Sequence, residues 1–168
     1  IGDEARWEMT SGLEPADLRQ VIERHGLPFT SLRHARGLVD ECHELCLGPA
    51  CVFAHKSLQQ ALKEADLVVL LGHHMEADLD FGASVGENAV VVQCYPDVEY
   101  LGRNRRSDIA TLAGVKPVVE LLLGLPPIEI DRAWVEGAAT AWRADWAGQA
   151  GDDATELPLH PVAVIDTV

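Results

Sequence analysis

The chain has 168 residues, of which 48% are apolar, and 27 acids against 13 bases leave a formal charge of −14. That length and apolar content suit one domain of ordinary size with a core of its own, and the acidic balance excludes binding to a nucleic-acid backbone, which needs a basic footprint. No run of about 18 apolar residues is present to cross a membrane, no basic–apolar leader is visible, and four cysteines in a chain this long point to a reduced, cytoplasmic setting rather than a disulfide scaffold.

The sequence opens at Ile1-Gly2 without an initiator Met and stops in mid-pattern at Ile165-Asp166-Thr167-Val168. The expectation is a segment of a longer protein. Pro15 suits the first turn of a helix, Leu18, Val21 and Ile22 follow at helical spacing, and Gly26 is a stop. Leu27 to Thr30 reads as a short buried strand. Residues 31–54 read as irregular, punctuated by Gly37, Gly48 and Pro49. Lys56 to Ala65 is a second helix, with Leu58, Ala61, Leu62 and Ala65 on one face.

Leu67 to Leu71 is a continuous apolar run ended by Gly72, as in a parallel strand covered on both faces. Ala89 to Cys94 is a second such run. Asp108 to Gly114 holds a short third strand, and Val118 to Leu123 is a helix ended by Gly124. Strands alternating with helices predict an α/β fold, a doubly wound parallel sheet flanked by helices with right-handed crossovers. A change of composition at Pro126-Pro127 divides a central α/β domain over 1–125 from a linker over 126–168. Trp134, Ala138, Ala141, Trp142 and Asp145 predict a linker helix over about 131–147, its tryptophans covering apolar surface. By propensity, Val162 to Ile165 reads as a strand.

No G-x-G-x-x-G, Walker loop or G-x-S-x-G elbow occurs. A doubly wound sheet takes ligands at the carboxyl ends of its strands, here Gly72-His73-His74 and Tyr95-Pro96-Asp97. Gly72 there offers close backbone approach and Asp97 a partner for a ribose hydroxyl. Cys42, His43, Cys46 and Cys51 form a compact set of soft ligands, but their spacing matches no standard zinc finger, and no metal site is expected. His73-His74 reads as a loop with one exposed histidine, since side chains adjacent in sequence rarely converge on one ion. Glu76, Asp78 and Asp80 read as a solvated acidic face, and Arg103, Arg105 and Arg106 as a basic cluster paired with surrounding acids.

Several passages together resemble one family. His25-Gly26-Leu27-Pro28-Phe29-Thr30 followed by Ala35-Arg36-Gly37-Leu38-Val39, Ala65-Asp66-Leu67-Val68-Val69-Leu70-Leu71-Gly72, Tyr95-Pro96-Asp97 through Leu101-Gly102-Arg103-Asn104, and Asp108 to Leu122 stand in the family's order. Trp142 and Pro158-Leu159-His160-Pro161 fit its link into a following domain. The resemblance is to the central, Rossmann-like domain of thiamine-diphosphate-dependent enzymes, the group of acetolactate synthase, benzoylformate decarboxylase and 2-hydroxyacyl-CoA lyase.

The resemblance implies a six-stranded parallel sheet lying between a pyrimidine-binding and a diphosphate-binding domain of the same chain. It implies a parent enzyme, a lyase or carboligase for 2-oxo acids or 2-hydroxyacyl thioesters, that assembles as a homo-oligomer. Thiamine diphosphate and Mg²⁺ belong to the outer domains, so this segment alone is expected to be inactive. The alternative is a stand-alone nucleotide-binding or regulatory module on the same sheet.

Some central domains of the family bind FAD or ADP. Here the acid that usually ends the fourth strand falls at Tyr95, the acid of the "gD" pair at Val115, and the arginine often found after "iG" at His74. The N-terminal glycine loop is reduced to Gly2, followed by Asp3 and Glu4. Losing such partners forfeits charge-assisted hydrogen bonds of about 1.5–3 kcal/mol each, so neither FAD nor ADP is expected. Gly37, Gly72 and Asp97 remain as candidate contacts of a vestigial nucleotide cleft. The resemblance also places a central strand before or at Ile1-Gly2 and makes the stretch from Val162 the start of a helix.

Overall fold

The computed structural model describes residues 1–8, 12–51 and 54–147. The expectations for the stretch from Val162 lie outside these residues. Among the described residues five parallel strands form two sheets, in place of the one six-stranded sheet that the resemblance implies. β1 (Phe29–Leu32) pairs with β2 (Cys46–Ala50), and β4 (Val90–Tyr95) lies between β3 (Leu67–Leu71) and β5 (Ile109–Leu112). The β3–β4 register is unbroken from Leu67 opposite Val90 to Leu71 opposite Cys94.

Ile1 and Gly2 join the two sheets. The Ile1 ammonium donates to the Thr30 carbonyl at 2.8 Å, and the Leu32 N–H donates to the Ile1 carbonyl at 3.1 Å. On the other side the Gly2 N–H donates to the Leu71 carbonyl at 2.7 Å. The spatial order is therefore β2, β1, the Ile1–Gly2 pair, β3, β4, β5, with this pair where the resemblance places a central strand. The order runs away from the pair in both directions, which makes it the topological switch point.

Helices cover both faces. Strand residues alternate between two cores, as a pleated strand requires. Phe29, Cys46, Leu71 and Cys94 meet Leu18, Val21 and Ile22 of α2 (Pro15–His25) and Val115 and Val119 of α4 (Val115–Gly124). Leu47, Leu70 and Val91 pack on the other side with Leu58 and Ala61 of α3 (Lys56–Glu64) and Ala139 of α5 (Arg132–Ala147). This is a doubly wound α/β domain. α2 starts on a reciprocal capping box between Glu14 and Asp17, with Pro15 in its first turn.

Two elements depart from the pattern read in the sequence. Residues 46–50 form β2 rather than irregular chain, although Gly48 and Pro49 are poor strand formers. Gly48 has φ +83°, and a Cβ on it would lie 2.7 Å from the Trp142 ring. Glycine is there to seat a tryptophan of α5. The second is α1 (Asp3–Trp7), one turn too short to show a periodicity.

α4 begins earlier than its apolar run, at Val115. Its amino end has no capping side chain of its own because Gly114 precedes it. Glu8 supplies the cap from across the fold, accepting the Val115 N–H and, at 2.8 Å, the Lys116 N–H. A Cβ at residue 114 would lie 2.6 Å from that carboxylate. Glu8→Ala is expected to cost about 1–2 kcal/mol of stability, as for loss of a helix cap, read from the shift of a urea unfolding midpoint. An unchanged midpoint would show that solvent caps α4 equally well.

Candidate functional site

The carboxyl ends of the strands converge on the switch point. Past β3 the chain turns through Gly72 (φ +69°) and Met75 (φ +53°). His73 between them is only 2% exposed. Its Nδ1 accepts the Met75 N–H at 3.0 Å, its carbonyl accepts from Gln93 Nε2 at 3.0 Å, and its Nε2 finds no hydrogen-bond partner among the described residues. Burial, then the nearby Ile1 ammonium, His74 and Arg33, lower its pKa to about 3. At neutral pH the ring is uncharged.

His74 is half-buried, its Nε2 2.8 Å from Glu76 Oε1. Its ring stacks on His73 with centroids 5.7 Å apart, meets Tyr95 edge-on at 5.1 Å, and lies 4.6 Å from Tyr100. Tyr95, from the end of β4, donates its hydroxyl to Glu4 Oε1 at 3.0 Å, and burial and that carboxylate push the phenol pKa up. These contacts correct the expectation of one exposed histidine. Tyr95 and Tyr100 pack on His74, and His74 stacks on the buried His73.

Of the three acids read as a solvated face, Asp80 is exposed, whereas Glu76, partly exposed, and Asp78, largely covered, are both paired with a cation. Arg33, at the end of β1, places Nη2 2.7 Å from Glu76 Oε2 and 2.8 Å from Asp78 Oδ2, with Nε 3.5 Å from Asp3 Oδ2 in α1. The Arg33 guanidinium and the His74 ring hold the Glu76 carboxyl down at about 2. The basic cluster also behaves differently. Arg105 donates to the carbonyls of Gly82, Val85 and Gly86 at 3.3, 2.7 and 2.7 Å, and Arg103 lies 5.3 Å over the Tyr100 ring. Arginine's fan of donors satisfies a tight loop's carbonyls instead of pairing with acids.

The sequence candidates separate. Gly72 and Asp97 end neighbouring strands, whereas Gly37 (φ +75°) lies on the loop beyond β1, with nothing within 4 Å of where a Cβ would point. Gly72 is enclosed, since a Cβ there would lie 2.6 Å from Glu4 Cβ and 2.8 Å from Val115 Cγ2. Asp97 is exposed and spends Oδ1 on the Glu99 N–H at 2.9 Å. Gln93 was not singled out by sequence, because an amide inside an apolar run carries no motif. It is 2% exposed and satisfied on both ends. Its Nε2 donates to His73 and Tyr100, and its Oε1 accepts from Gly102 N–H and Ser107 Oγ, both at 2.8 Å.

A cavity of about 510 Å³ lies elsewhere, at the amino ends of β1 and β2, lined by Glu23, Arg24, His43, Glu44 and Arg143 among others. Among the described residues no group of three or more His, Cys, Asp or Glu side chains is placed to hold a metal ion, and the four cysteines are free thiols. The described residues therefore do not fit a metal-held diphosphate. No described helix is long and apolar enough to cross a membrane.

The parallel order, the helices on both faces and the crevice at the switch point define a Rossmann-like domain. Residues 5–122 match the family "Thiamine pyrophosphate enzyme, central domain", and the chain belongs to that family. It is 30% identical over 120 residues to the acetolactate synthase large subunit of Lactococcus lactis subsp. lactis (strain IL1403), covering 70% of this chain and 21% of that protein. It is 31% identical over 108 residues to 2-hydroxyacyl-CoA lyase 1 of Mus musculus (63% and 17% covered). It is 27% identical over 155 residues to pyruvate oxidase of Lactiplantibacillus plantarum (strain ATCC BAA-793 / NCIMB 8826 / WCFS1), with 90% and 25% covered. The chain thus spans about a fifth of the acetolactate synthase it matches.

Proposed function

We propose that this chain is the central, mainly structural domain of a thiamine-diphosphate-dependent lyase or carboligase acting on 2-oxo acids or 2-hydroxyacyl thioesters. The observation that carries this reading is the central-domain match over residues 5–122. Relatives that join, cleave and oxidise substrates share the domain, so the chemistry that varies among them lies in the parts they do not share with this chain. Thiamine diphosphate supplies an electron sink for making or breaking a carbon–carbon bond beside a carbonyl. In this reading it is held, with Mg²⁺, by pyrimidine- and diphosphate-binding domains of the same parent. Residues 1–125 hold the sheet of the domain, and 126–168, whose helix α5 packs back onto it, lead toward the diphosphate-binding one. The parent is a cytoplasmic homo-oligomer with no nucleic-acid or membrane partner.

The test is a thiamine-diphosphate-dependent assay of 2-oxo-acid or 2-hydroxyacyl-thioester turnover. The expected result is turnover by the parent that stops when cofactor and metal are removed, and none by the 168-residue chain alone. Turnover by the isolated chain, or a parent indifferent to thiamine diphosphate, overturns the assignment.

A further inference from the structure

We propose that the switch-point crevice of this domain is closed from within. Arg33, clamped by Asp3, Glu76 and Asp78, and the ring cluster of His74, Tyr95 and Tyr100 occupy it in place of a nucleotide, and Arg33 fastens the two sheets together. The closure deepens the structural role proposed above and rests on that reading only for the expectation that a nucleotide could have been bound there.

The groups that would receive a nucleotide are already engaged. A doubly wound sheet receives a dinucleotide's phosphates at the first turn after its central strand. Here that turn carries Asp3 and Glu4, so it presents negative charge where an anion would approach. Asp3 accepts the His34 N–H at 2.9 Å and faces Arg33, and Glu4 accepts the Tyr95 hydroxyl. Arg33 is the guanidinium at the mouth, and three carboxylates surround it. Gly72 offers no open backbone, with Glu4 and Val115 side chains packed on it. Gly2 is as tightly covered, a Cβ there lying 2.2 Å from the Gly72 carbonyl oxygen.

The same contacts span the seam between the sheets. Arg33 directly follows β1, Glu76 and Asp78 follow β3, and Asp3 begins the helix after the Ile1–Gly2 pair. Tyr95 ends β4 and reaches α1. Among the described residues the Ile1–Gly2 bonds are the ones that join the two sheets along their backbones, and the side-chain clamp holds the seam at its open end.

The experiment uses the 168-residue chain. With ADP or FAD as probe, calorimetry is expected to show no heat and thermal unfolding no shift. A dissociation constant below about 10 μM for either overturns the closure. Arg33→Gln leaves three carboxylates facing one another and is expected to lower the unfolding midpoint by about 3 °C or more. It should also speed hydrogen exchange at the Gly2 and Leu32 amides, which bridge the seam. Should Arg33→Gln fail to fold, Asp78→Asn is measured by the same two readouts, with a smaller loss expected. Variants that melt and exchange like the parent chain overturn the clamp. A nucleotide bound here leaves the thiamine-diphosphate assignment standing, whereas an inactive parent enzyme leaves the closure standing.

Discussion

Gln93→Leu is expected to destabilise the chain by about 3 kcal/mol, well above the typical point substitution. The amide sits in the middle of the β3–β4–β5 sheet, in register with Leu70 on one side and Ala110 on the other. Its four hydrogen bonds reach the His73 and Tyr100 carbonyls, the Gly102 N–H and the Ser107 hydroxyl. Leucine fills a similar volume but satisfies none of them. The cost therefore comes from stranded partners rather than from a cavity, chiefly the His73 carbonyl, on a residue 2% exposed. Gln93→Glu separates the parts. It keeps acceptors for Gly102 and Ser107, loses the donor to His73, and buries a carboxylate, so its loss should shrink as acid neutralises it. Urea unfolding of both variants reads this directly. A loss under about 1 kcal/mol for the leucine variant would mean that water replaces the amide at no cost.

The second large effect is with pH. The His73 imidazole is neutral in the fold and has its pKa lowered from 6.5 to about 3, burial being the main cause. The unfolded chain therefore binds a proton at a pH where the folded chain does not. Stability from this residue is complete above pH 6.5 and is lost as pH falls toward about 3. The limiting slope for one such proton is about 1.4 kcal/mol per pH unit. From pH 6 to 4 the loss is expected to be about 2 kcal/mol. His73→Asn keeps an acceptor for the Met75 N–H but does not titrate, so its unfolding curve should flatten over that interval. One other group acts in a lower window. Glu76, lowered from 4.5 to about 2 by its Arg33 and His74 contacts, acts only below about 4.5. An acid limb identical in His73→Asn and the parent chain would show that the imidazole reaches solvent.

These two residues show where sequence reasoning stops. The runs at 67–71 and 89–94 locate β3 and β4 to within a residue, because strands covered on both faces must be apolar throughout. The helix over about 131–147 is legible from its spacing for the same kind of reason. β2 is not, since its Gly48 and Pro49 answer to Trp142, far along the chain. The crevice is legible as a place but not as a structure. Gly72 and Asp97 are found at strand ends as expected, yet what surrounds Gly72 comes from Glu4 and Val115. Arg33 meets Asp3, Glu76 and Asp78 across separations of 30 to 45 residues, and no local pattern marks such partners. The sequence likewise reads His73-His74 as a loop with one exposed histidine, while two tyrosines from the next strand and loop pack on His74 and His74 stacks on His73.

The seat of Trp142 on Gly48 has a mechanical meaning. α5 is held to the domain where its indole lies against bare backbone of β2, the outermost strand of the smaller sheet, and against the His55 ring at 4.8 Å. Tension applied at the carboxyl end of α5 would thus enter the fold through β2, by way of an aromatic key, before it could peel the chain back toward α4. Even the smallest side chain at residue 48 would dislodge that key and leave the load to the contacts of α5 with α3, where Ala139 packs with Leu58 and Ala61 and Asp145 accepts the Ser57 N–H at 3.2 Å.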